Sequence, residues 1–371
     1  MKPTQSTISN ILKHERKSNS YKIALVRAIN DVALEYPHRP PSGGVAIPLR
    51  LLAEFWLAYY WVFVDPTNPI RQGHNPTDMS FRDELTELRQ LWETSINDHD
   101  PSAGFFLKNA MGVARERTTF TPELTKTYDA TVKEIAKAIR QPIKFAGPGQ
   151  YTVFDKPRKL RDLENVSSIP SAQPTDLCLV IPHDLWMTFQ ELSLWIEALC
   201  IHEWCLFTET TESDSKRGIT YTLLTARPDN RRPLTWERNQ MDILIMEGQV
   251  FECPWTRKTL RRSEDYDLDH IIPVAIRPIN ELWNLVPADP DYNSHVKRDR
   301  LPSPETWKAA EPVLEQTYSV YITAVGLQDY LITDAENRFG ALDPDRLATD
   351  LVTKTGHLVR SISNSRNLPL F

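Results

Sequence analysis

Asp269 and His270 stand side by side in Asp-Leu-Asp-His-Ile-Ile-Pro, with Asn284 fourteen positions after His270 and Asn293 nine positions further on. A hard divalent cation takes oxygen ligands, and the carboxylate of Asp269 and the amide of Asn293 can both supply them. An imidazole titrates near neutrality, so His270 could take a proton from an attacking water. A cation that polarises an anionic centre, next to a base that generates hydroxide, is the equipment for breaking a phosphodiester. Asp267 lies two residues before Asp269 on the same face of a strand and is the alternative carboxylate. His295 is a further candidate ligand or ligand-supporting residue. Basic residues flank the constellation on both sides: Arg257, Lys258, Arg261 and Arg262 before it, and Lys297 and Arg298 after it. Their position suits contact with phosphate oxygens, where an arginine presents a planar fork of donors.

These residues, in the frame Leu-Asp-His-Ile-Ile-Pro, Leu-Trp-Asn-Leu-Val-Pro and Asn-Ser-His-Val-Lys, resemble the HNH (ββα-metal) endonuclease motif with Asn at the last position. The resemblance covers roughly residues 250 to 303. It implies that His270 is the general base, that Asp269 and Asn293 hold one divalent ion, and that Asn284 bonds loop backbone so that His270 faces the phosphate. Mg2+ is the expected ion, with Mn2+ or Ni2+ as alternatives, and DNA is the expected partner. Many HNH proteins add a zinc held by paired cysteines. Here only Cys253 remains, in Cys-Pro-Trp-Thr, so no structural zinc is expected, and packing of Trp255, Leu260, Trp283 and Leu285 must hold the module.

The elements that position this site are expected to be a strand at Gln249 to Cys253, a second at Tyr266 to Ile271, a long loop carrying Asn284, and a helix opening at Tyr292 to Arg298. On that helix Asn293 and Lys297 share a face, being four residues apart. The motif occupies a small part of a 371-residue chain. The expected class is mainly α with a small α+β module near the C-terminus. Four regions are read: 1–140, an N-terminal helical domain; 141–240, a linker and second helical region; 241–303, the nuclease module; and 304–371, C-terminal helices. Ser20 to Leu34 and Leu51 to Val64 carry apolar residues at helical spacing, and the Trp56, Tyr59, Tyr60, Trp61 cluster reads as a buried helix rather than a base-stacking platform. Phe81 to Ser95 and Pro122 to Ile139 are amphipathic. Tyr36 to Gly44 and the Pro/Gly-rich stretch 141–174 read as breaks, the latter with a short strand at Tyr151 to Phe154. A second strand is expected at Ile219 to Leu224, and helices at Trp236 to Met246, from Pro304 to about Thr333, and from Pro344 to Ile362.

Net charge is −6, which excludes a surface uniformly coated for DNA but not a local basic groove. No apolar run is long enough to span a membrane. The first residues lack the apolar core of a signal peptide, and the four cysteines form no disulfide framework, so a reducing cytoplasm is expected. Ser20 to Ile29 and Ala53 to Trp61 resemble the helical N-terminal regions of bacterial HNH proteins of restriction and anti-phage defence. That likeness implies a nuclease of such a system, with possible partner subunits. The alternatives are a non-catalytic nucleic-acid-binding or regulatory subunit, or an HNH nuclease directed at RNA. The intact Asp-His-Asn-Asn set favours catalysis.

Overall fold

The computed structural model describes residues 3–36, 43–74, 78–211, 217–226, 234–277 and 279–371. It divides into two units, one of Met1–Met111 with Arg117–Arg227, the other of Gly112–Glu116 with Pro228–Phe371. Both are mainly helical with small sheets.

The first unit is built around two helices, Tyr21–Glu35 and Leu49–Tyr60, whose apolar residues are buried almost all round. The aromatic cluster fills core: Trp56 packs 5.1 Å from Tyr21 and 5.6 Å from Tyr60, and Tyr60 lies 5.2 Å from both Phe81 and Trp204. Helix Arg82–Ile96 buries Leu85, Leu88 and Trp92 on one side. Helix Pro122–Phe145 starts with Thr121 accepting a hydrogen bond from Leu124 N and with Pro122 where no donor is needed. It runs straight through Gln141, so both sides of that position lie in one unit and the chain divides elsewhere.

A four-stranded sheet, in the order Arg158–Lys159, Leu177–Pro182, Gly44–Pro48, Val166–Ser168, was not foreseen. Its central pair is antiparallel, from Gly44 opposite Pro182 to Pro48 opposite Cys178. Gly43 enters the sheet at φ +81°, and a Cβ there would lie 2.0 Å from the Asn165 carbonyl oxygen, so glycine is required. Within the expected break at Tyr36 to Gly44, residues 37–42 lie outside the described residues.

Two expected strands are corrected. Tyr151 to Phe154 is a turn: Tyr151 has φ 56° and bonds back to the Lys144 carbonyl, while Phe154 is buried in the core. Ile219 to Leu224 belongs to a helix, Arg217–Leu224. Its β-branched and aromatic residues favour a strand locally, but Thr220 and Leu224, four apart, are buried on one helical face, and packing overrides propensity.

In the second unit, helices Thr235–Met246, Pro304–Thr323, Gln328–Phe339 and Leu347–Arg366 accompany two short ladders. The expected helix to Thr333 breaks at Ala324–Leu327, where Gly326 has φ +91°. Phe251–Glu252 pairs with Thr259–Leu260, closed by a tight turn in which Cys253 N donates to Lys258 O and Arg257 N to Cys253 O. The strand carrying the acid and imidazole, Asp267–His270, does not join that hairpin. It pairs antiparallel with Leu285–Ala288, Asp269 opposite Val286 and His270 opposite Leu285. The reason lies behind the second strand: Tyr318 donates from its hydroxyl to Trp283 O (2.5 Å) and Tyr321 to Leu285 O (3.1 Å), holding the backbone from Trp283 to Leu285 against helix Pro304–Thr323. The chain then turns through Pro290–Tyr292, capped by Asp289, into a wide helical turn, Asn293–Lys297.

Candidate active site

Strand Asp267–His270 delivers Asp269 and His270 to a buried position, each 7% exposed. The turn Asn293–Lys297 reaches back over the end of this strand. Lys297, 1% exposed, donates from Nζ to Asp269 Oδ1 (3.0 Å) and to the His270 carbonyl (2.7 Å). Its ammonium is therefore committed to the strand rather than displayed on the surface where a phosphate contact was expected.

The other oxygen of Asp269 is different. Among the described residues Oδ2 is buried with no hydrogen-bond partner in bonding geometry, and the indole Nε1 of Trp255 is likewise buried and without one. Trp255 is close enough to favour the charged carboxylate, as Lys297 does, yet burial outweighs both and raises the Asp269 pKa. An orphaned, desolvated carboxylate oxygen costs free energy unless something binds it.

Among the described residues His270 is held on one side only. Nε2 lies 2.9 Å from Asn280 Oδ1. An amide oxygen only accepts, so in this arrangement Nε2 carries the hydrogen and Nδ1 keeps its lone pair. Burial pushes the imidazole down to about 4; the Asn280 bond opposes that shift and the charge of Lys297 adds to it. The ring is neutral, and so able to accept a proton, throughout the neutral range.

Asn284 is fully buried and spends its whole amide on backbone: Oδ1 accepts from Ile272 N (2.8 Å), and Nδ2 donates to Ile272 O (3.2 Å) and Ile279 O (2.8 Å). With Ile271 N donating to Asn284 O, it ties the exit of the His270 strand to the loop that carries Asn280. Asn293, half-buried at the head of the turn, has no side-chain hydrogen bond among the described residues. Asp267 is half-buried at the strand's start. His295 is exposed, with Nδ1 3.0 Å from both Ser294 Oγ and the Asp291 carbonyl, which holds the ring on the outer side of the turn.

The flanking cations are exposed but not all idle. Lys258 pairs with Asp289 (3.0 Å), Arg262 with Asp265 (3.1 Å) and Glu264 (3.2 Å), and Arg257 donates to the Ala309 carbonyl. Arg261 and Arg298 are exposed as well, Arg298 at φ 53°.

Among the described residues no group of three or more His, Cys, Asp or Glu is arranged around a common point. The donors at hand are instead a free carboxylate oxygen, Asp269 Oδ2, and a free amide, Asn293. Both supply oxygen donors, the kind a hard divalent ion takes.

Sequence reasoning missed Asn280, the direct partner of His270. Its only signal is its place four residues before Asn284, which is too little to single it out. It also missed Arg115, whose guanidinium donates to the Asn280 carbonyl from 165 positions upstream. No local pattern could have found it.

Two family models match the chain. One, described as a domain of unknown function (DUF8808), covers residues 2–224. The other, described as HNH endonuclease, covers residues 253–303, the segment that holds every residue of the site except Arg115. No curated protein and no solved structure matches the chain. No helix among the described residues is long and apolar enough to cross a membrane.

Proposed function

We propose that this chain, which belongs to the family of the DUF8808 domain and carries an HNH endonuclease domain, is a metal-dependent endonuclease that hydrolyses DNA phosphodiester bonds. The observation that carries this reading is the pairing, at the buried end of one strand, of two groups with bonding capacity left among the described residues: Asp269, whose Oδ2 has no partner in bonding geometry, and His270, bonded through Nε2 alone. A structural acid–imidazole pair would satisfy itself or face water. The succession of strand, long loop, strand and helical turn supports a ββα reading of the module.

In this reading His270 Nδ1 takes the proton of the attacking water. The phosphodiester's negative charge favours the imidazolium that results, raising the base strength of a ring that burial has weakened. Asp269 Oδ2 and the Asn293 amide would hold the divalent ion, Mg2+ foremost. Such an ion supplies Lewis-acid stabilisation of charge on the scissile phosphate. Lys297 favours the ionised form of Asp269 against its burial, and Asn284 fixes the loop. Arg257, Lys258, Arg261, Arg262 and Arg298 would contact phosphates along the strand.

The upstream helical region resembles those of restriction and defence nucleases, which supports a defence setting in which it selects or restrains the substrate. The experiment is cleavage of supercoiled plasmid, with an RNA transcript in parallel, in Mg2+, in Mn2+ and in EDTA. Metal-dependent nicking or linearisation of DNA is expected. Cleavage of RNA alone would move the substrate class. Metal-independent cleavage, or binding without cleavage in any metal, would overturn the proposal.

A further inference from the structure

The loop that carries Asn280 is anchored by a buried ionic knot. Arg115 donates from Nη2 to the Asn280 carbonyl (2.5 Å), from Nη1 to Asp334 Oδ2 (2.7 Å) and from Nε to Glu237 Oε1 (2.9 Å). Asp334 Oδ2 also accepts from Leu282 N (2.9 Å), two residues beyond Asn280. The Arg115 guanidinium lies 5.4 Å from the centre of the Trp236 ring. Arg115, Glu237, Asp334 and Asn280 are all at most 9% exposed. A buried arginine satisfied in three directions is rigid, because each displacement would strand a charge or a carbonyl. The backbone of Asn280 is therefore fixed, and its side chain is aimed at His270.

We propose that Arg115 and Asn280 are positioning residues of the nuclease site. Arg115 clamps the Asn280 backbone, and Asn280 Oδ1 holds His270 in the tautomer with hydrogen on Nε2, which leaves the Nδ1 lone pair to receive the proton of the attacking water. The catalytic half of this statement rests on the reading of His270 as the base. An imidazole works as a base only through the nitrogen that lacks hydrogen, and the bond at the other nitrogen decides which one that is. Arg115 sits in the short segment Gly112–Glu116, inside the stretch matched by the upstream domain's family model, yet it belongs to the same unit as the HNH residues. The HNH segment by itself lacks the residue that sets the orientation of its base.

The test uses the full chain labelled with 15N-histidine, at one pH near neutrality and in EDTA, with the His270 ring signals assigned by their loss in His270→Gln. Wild type should show the Nε2–H tautomer. Asn280→Asp keeps an acceptor and should retain it, whereas Asn280→Leu removes the acceptor and should shift the ring toward mixed tautomers. Arg115→Lys keeps the charge but not the three-way fork, and should shift the ring partially. On plasmid, Asn280→Leu and Arg115→Lys should lower kcat by about 10–100-fold with KM little changed, and Asn280→Asp should recover most of the rate. A wild-type ring in the Nδ1–H form, or an unchanged tautomer in Asn280→Leu, would overturn the role of Asn280. A wild-type tautomer and kcat in folded Arg115→Lys would overturn that of Arg115, and if that variant fails to fold, the Asn280 pair decides. The tautomer is read without metal or substrate, so a chain that cleaves nothing but holds the Nε2–H ring would refute the nuclease reading and leave the positioning geometry standing.

Discussion

The Lys297 ammonium sits 3.0 Å from Asp269 Oδ1 and is sealed from solvent, so the cation nearest the site serves the site's own carboxylate. In the proposed reading, contact with a nucleic acid backbone falls to Lys258 and the exposed arginines. Each phosphate contact contributes about −0.9 to the slope of log affinity against log salt on duplex DNA. Replacing Arg261 and Arg262 with Glu should flatten that slope and weaken all sequences alike, because phosphate contacts carry no base information. Lys297→Met should lose about 3–5 kcal/mol of stability by stranding the Asp269 charge, yet keep the wild-type slope. Salt titrations of the two variants would contradict this if the Lys297 change alone flattened the slope.

Asn284 shows no unspent valence, unlike Asp269. Asn284→Ala leaves Ile272 N, Ile272 O and Ile279 O without their partners, each buried orphan costing about 1–3 kcal/mol. Urea denaturation should show a large loss of stability, about 3 kcal/mol or more. A variant of wild-type stability that is merely slow would show instead that Asn284 acts on the substrate.

Much of this was legible in the sequence, for identifiable reasons. The long helices were readable because their apolar residues repeat at helical spacing, as in Ser20 to Leu34. The segment of the acid, imidazole and asparagines was readable because the motif keeps them close together in the chain. What escaped depends on pairings that no spacing encodes. The strand of His270 pairs with Leu285–Ala288 because Tyr318 and Tyr321 hold the second strand from behind. Lys297 turned inward because Asp269 is buried beneath it, and Asn280 is bonded on its backbone by Arg115, which arrives from far upstream. The four-stranded sheet of the first unit likewise joins segments far apart in the chain, one strand having only two residues.

The buried imidazole makes a prediction about pH. His270 is pushed down to about 4 in the folded chain, whereas an unfolded histidine titrates near 6.5. Between those values the unfolded chain binds the extra proton, so His270 lowers stability as pH falls from about 6.5 toward 4 and contributes no further change below that. At pH 5.5 the His270 ring should still be neutral by 15N NMR in metal-free protein. The His270→Gln variant should lose less stability than wild type between pH 7 and 5. A ring that protonates near the ordinary value would show that it is not sealed as described.

The central claim is that His270 is the base of a phosphodiester hydrolase, and single-turnover cleavage of plasmid DNA by wild type and His270→Ala in saturating Mg2+ tests it most directly. Loss of a general base costs about 10²–10⁴-fold in rate, and among the described residues His270 makes no side-chain bond other than that to Asn280, so the variant should stay folded and bind DNA as wild type does. The account predicts a fall of that size with unchanged DNA affinity. Cleavage by His270→Ala at the wild-type rate would contradict it.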